Sequence, residues 1–79
     1  MSHVPHELHE EFPDKADALH SLKLSNAHFA KLADEYHAVN REIHRVETDV
    51  EPASDEALEN LKKKRLHLKD EIAALLAAA

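Results

Sequence analysis

The stretch VETDVEPASDEAL, residues 46–58, decides the fold. Pro52 lacks an amide proton and pushes Glu51 out of the α region, so a helix arriving from the N-terminal side ends near Val50. Ser54 is suited to cap a new helix, and Asp55 and Glu56 then fall in its first turn, where the helix dipole favours acids. Glu47, Asp49 and Glu51 instead oppose the negative end of the arriving helix, at ~0.3–1 kcal/mol each. The segment therefore reads as a stop and a restart.

On either side of it the apolar residues keep a strict period. Phe29, Leu32, Tyr36, Val39, Ile43, Val46 and Val50 alternate spacings of three and four. Leu58, Leu61, Arg65, Leu68, Ile72, Leu75 and Ala79 do the same. Such a/d seams belong to helices that pack side by side. Folding the chain at Pro52 places Val46 against Leu58, Ile43 against Leu61, Val39 against Arg65, Tyr36 against Leu68, Leu32 against Ile72 and Phe29 against Leu75. Each pair is equidistant from the proline, so both seams share one register. The expected fold is all-α: an antiparallel, coiled-coil-like helical hairpin turning at Pro52, with arms at about 26–50 and 54–78, inside a single domain of residues 13–79. Each arm would be ~36 Å long at 1.5 Å per residue. Glu47 is expected to reach towards Lys62 and Glu42 towards Lys64, while Glu35 and Glu71 meet at one level. Exposed pairs of this kind are too weak to decide a fold.

Upstream, Pro13 can open a shorter helix with Asp14 and Asp17 at its start. Ser25 and Asn26 are candidate N-caps for the first long arm, the alternative being a helix continuous through them. Residues 1–12 read as a poorly ordered or short-helix lead.

Composition narrows the function. The 79-residue chain has no cysteine and no glycine, which removes disulfides, thiolate metal sites and glycine-rich phosphate loops. A formal net charge of −6 disfavours general nucleic-acid binding and anionic membranes. No apolar run approaches the ~20 residues of a membrane span, and the first residues lack a basic region followed by an apolar core. A cytoplasmic location is the expectation.

Three strings, AHFAKLADEYHAVNREIHRVE, VEPASDEALENLKKKRL and HLKDEI, together resemble the YdcH-like family of small bacterial helical-hairpin proteins. The resemblance covers roughly residues 14 to 76. It implies a bacterial, cytosolic protein and supplies no catalytic residue and no established activity.

The remaining candidates are local. Lys62, Lys63, Lys64 and Arg65, with Lys69, hold half of the chain's ten bases. They read either as a patch for RNA, DNA, a ribosomal surface or an acidic protein, or as a solvated helix flank; no aromatic residues interleave to stack on bases. Arg65 stands within the seam, its stem packing and its head expected to reach Glu35 or Glu42, a device that fixes register. His3, His6 and His9, beside Glu7 and Glu10, raise a metal reading that a short lead near a terminus weakens. His37 and His44 stand one heptad apart, too far for one ion. Asp34, Glu35, Tyr36 and His37 point in successive helix directions and do not converge, so neither a catalytic site nor a metal or cofactor site is expected.

A single hairpin leaves Leu66, Leu76, Phe12, Leu19 and Leu22 off the seam. Either the N-terminal helix folds back over them or two chains associate. The expectation is a homo-oligomer, a dimer first, or an unknown protein partner. Lys62, Lys63, Lys64, Leu66 and Leu76 are the candidate contacts. The functional expectation is a structural or interaction protein without enzymatic activity. The alternative is a nucleic-acid- or ribosome-associated accessory protein using Lys62 to Arg65.

Overall fold

The computed structural model describes residues 6–48 and 54–78. Among them are four α-helices and one 3₁₀ turn, and no strand. Helix α1 spans Leu8–Glu11, a 3₁₀ turn Pro13–Lys15 follows, and α2 covers Ala16–Ser25. The long helices are α3, Ala27–Glu47, and α4, Asp55–Ala78. The fold is all-α.

The helix boundaries follow from local chemistry. The chain breaks between α2 and α3 at Asn26, whose backbone is extended (φ −130°, ψ 106°). Its side-chain oxygen accepts the Phe29 amide at 3.1 Å, and its own amide closes α2 on the Leu22 carbonyl at 2.8 Å. Asn26 is thus the cap, and Ser25 ends α2 with its hydroxyl donating back to the Ser21 carbonyl. Helix α3 ends at Glu47, earlier than the expected Val50, with the Thr48 hydroxyl donating to the His44 carbonyl at 2.8 Å. At the start of α4 the Ser54 hydroxyl oxygen accepts the Ala57 amide at 3.1 Å. Val50, Pro52 and Ala79 lie outside the described residues, and the expected pivot with them.

The most extensive packing is between α3 and α4, followed by α2 on α3. Cross-contacts run in opposite order along the two long helices: Asn40 meets Arg65, and the later Glu47 meets the earlier Lys62. Phe29, Tyr36, Ile43 and Ile72 are fully buried, and Leu32, Val39 and Leu68 nearly so. Val46, Leu58, Leu61, Arg65 and Leu75 are half-buried.

The core is wider than the a/d seam. Ala33, Asn40 and Leu76 are also buried, and each stands one residue after a seam position. This third stripe makes the three-in-seven apolar face of a helix covered on two sides, rather than the narrow seam of a two-stranded coil. Its cover comes from within the chain. Leu19 of α2 is buried in the same cluster, with Leu8, Phe12 and Leu22 packed against it. Of the five residues expected to lie off the seam, Leu19 and Leu76 are buried in this cluster and Phe12 and Leu22 pack partly against it. Leu76 is only 5 % exposed. Its expected role as an open partner contact is corrected, because its side chain is buried in the core cluster with Leu68 and Ile72 of the same helix.

Candidate interaction surface

Two polar side chains interrupt the interface of the long helices. Asn40 of α3 is 1 % exposed, and its side-chain oxygen accepts Arg65 Nη1 at 2.9 Å. Arg65 thus reaches a buried amide, not Glu35 or Glu42 as expected. A neutral acceptor is already held in the interface beside it, whereas Glu42 pairs within its own helix with Arg45. Asn40 was missed because an asparagine one residue after the seam gives no apolar signal. Its periodicity with Ala33, one heptad earlier, was the only available hint.

The segment from His6 to Phe12 lies across α3 and α4 and is fastened to both. The buried Tyr36 hydroxyl donates to the His6 carbonyl at 2.6 Å. Burial pushes the Tyr36 phenol up to about 12, with the nearby Glu11 and Glu7 charges adding and Arg65 opposing. His37 Nδ1 stands 3.0 Å from Glu7 Oε2. Lys69 Nζ of α4 stands 3.3 Å from Glu11 Oε1 and 6.0 Å from the centre of the Phe12 ring. Burial alone would raise the Glu11 carboxyl, but hydrogen bonds from Lys69 and His6 outweigh it and hold the group below its ordinary value. His6 itself has φ 65°, the left-handed region that non-glycine residues seldom occupy.

An open cleft flanks this segment on each side. One, of about 270 Å³, lies between it and α2 and α3, with His9, His20 and His37 in its lining. No group of three metal-ligating side chains among the described residues is placed to hold an ion, these three histidines included. His3 lies outside the described residues, so the expected spacing of His3, His6 and His9 is not seen whole. The other cleft, about 190 Å³, is lined by Tyr36, Lys62, Arg65, Leu66 and Lys69 together with His6 and Glu11.

The basic run is partly neutralised. Lys62 pairs with Glu47 at 3.0 Å and Lys63 with Glu59 at 3.5 Å, while Lys64 is exposed. Leu66, beside them, is 59 % exposed. Leu24 of α2, which the sequence reading passed over, is 78 % exposed. No helix among the described residues is long and apolar enough to cross a membrane.

Helix-on-helix packing, with polar pegs and shallow clefts on its outer face, defines a small all-α protein of the long-helix-pair type. The family model described as "Protein of unknown function (DUF465)" matches residues 29–76, which covers most of α3 and α4. The chain belongs to that family, the YdcH-like proteins that its motifs resemble. No curated protein and no solved structure matches the chain.

Proposed function

We propose that the chain is a helical hairpin, turning at Pro52, that acts as a non-enzymatic interaction protein through its outer helix faces. The observation that carries this is Leu66, 59 % exposed and set among Lys62, Arg65 and Lys69 at an open cleft. An exposed apolar side chain with cationic neighbours is the composition of a contact that desolvates at its centre and is steered at its rim. Self-association, as a dimer, is the simplest form. With Leu19 and Leu76 buried inside the chain and Phe12 and Leu22 packed partly on the core, it draws its apolar area from Leu66 and Leu24. A cytoplasmic, bacterial setting belongs to the same proposal and rests on the family resemblance. The nucleic-acid reading is the lesser one, since Lys62 and Lys63 already have acidic partners.

Sedimentation of the wild type and of Leu66→Asp, with crosslinked capture from a native lysate, tests the proposal. Loss of self-association or of a captured protein in the variant supports it. A wild type that is monomeric and captures nothing sinks it. A salt-sensitive shift with RNA, abolished by reversing Lys62 to Lys64, would move the weight to the second reading.

A further inference from the structure

We propose that the face of α3 and α4 spanned by residues 6–12 is a docking surface for an acidic amphipathic segment of a partner protein, and that the chain's own lead occupies it in cis. This rests on the interaction reading above and names the chemistry of the partner.

The lead has the character of a bound ligand. Neither α1 nor the 3₁₀ turn contributes a buried residue, although Leu8 and Phe12 pack partly on the core. A four-residue helix has no stability of its own in water, so its conformation depends on the surface beneath it. That surface fastens it at separate points: the Tyr36 hydroxyl on the His6 carbonyl, His37 on Glu7, and Lys69 on Glu11 and Phe12. Open clefts remain on both flanks, so the lead is pegged rather than embedded.

Charge sets the occupant. Residues 6–12 carry Glu7, Glu10 and Glu11 and no Lys or Arg. The receiving side presents His37 from α3 and Arg65 and Lys69 from α4, while Lys62 at the same cleft is already paired with Glu47. Glu7 and Glu11 are one helical turn apart and engage α3 and α4 respectively. Leu8 and Phe12 follow each acid by one residue and supply the apolar contact. The lead does not cover all of this surface, because Leu66 stays exposed in the lining of the cleft that Glu11 also lines. A longer segment with the same alternation of acids and large apolar residues would cover Leu66 as well, and would displace the lead.

The test uses the full chain and a labelled peptide of its own residues 6–15, HELHEEFPDK, as the probe. Glu7→Lys with Glu11→Lys should release the cis lead, seen as at least a tenfold rise in amide exchange at residues 8–12 while residues 29–43 and 61–76 stay protected. The peptide should then bind this variant at least tenfold more tightly than it binds the wild type, which carries a tethered competitor. Added salt or Lys69→Glu should weaken that binding. Glu7→Gln with Glu11→Gln is the gentler second variant and should move every readout in the same direction. The proposal is overturned if exchange at residues 8–12 does not rise in either variant, or if the two long helices lose protection together with the lead. It is also overturned if the released chain binds the peptide no better than the wild type. Partner capture that is indifferent to both variants would defeat this inference and leave the interaction reading standing.

Discussion

Asn40 and Arg65 are the pair on which single-residue reasoning turns. A seam arginine taken alone invites replacement by leucine, with a gain in apolar packing. The hydrogen bond to a buried amide reverses that expectation. In Arg65→Leu the Asn40 side-chain oxygen loses its guanidinium donor inside the interface, at ~1–3 kcal/mol. Chemical denaturation should therefore show the single variant to be less stable than wild type. Replacing both residues by apolar ones should recover much of the loss; a more stable Arg65→Leu single variant would refute this. Tyr36 makes a second prediction at this scale. Its phenol is held neutral up to about 12 in the folded chain, against 10.0 for a free side chain. The folded state therefore keeps its proton where the unfolded state loses it, and stability falls as pH rises from about 10 to about 12. The absorbance titration of the single tyrosine should be delayed in the native protein and normal in denaturant.

At the scale of elements, the caps decide where the helices end. Asn26→Ala removes the acceptor of the Phe29 amide and should cost ~1 kcal/mol. For a domain of this size that lowers the melting temperature by ~4–8 °C. Ser54→Ala, which removes the acceptor of the Ala57 amide, should behave similarly. If neither thermal melt moves, the capping account fails. Both caps were legible, since Asn and Ser before helical runs are strong start signals. Asn26 still had to be chosen over Ser25 and over an unbroken helix, and only the backbone at that residue makes the choice. The ending of α3 at Glu47 was less legible. Pro52 sets only an outer limit for the helix, whereas Thr48, with φ −93° and ψ 9°, already stands at its C-cap.

For the whole molecule, the decisive feature is the third stripe. Leu75 and Leu76 are adjacent leucines, and an a/d seam assigns the core to Leu75. Leu76 is the buried one, at 5 % exposure, while Leu75 is half-buried. Leu76→Ala should accordingly cost ~2–5 kcal/mol, and Leu75→Ala distinctly less. Equal losses in urea denaturation would put the boundary of the core back at the seam. Leu66→Asp, on the exposed face of α4, should leave the melting temperature within a few degrees of wild type, so that any change in association is a surface effect.

The sequence by itself determined that this chain is helical, where its two long helices begin and end to within a few residues, and which residues form the primary seam. These properties are local or periodic: proline geometry, capping chemistry and the three-four spacing act within a few turns of backbone. The tertiary structure alone decided what covers the second flank of the long helices. Periodicity locates an apolar stripe but carries no information about which distant segment will lie on it. The fold-back of α2 and the lead, the burial of Ala33, Asn40 and Leu76, and the pegging of Glu7 and Glu11 by His37 and Lys69 are contacts between residues far apart in the chain. Such contacts depend on the relative placement of elements, which no local pattern encodes.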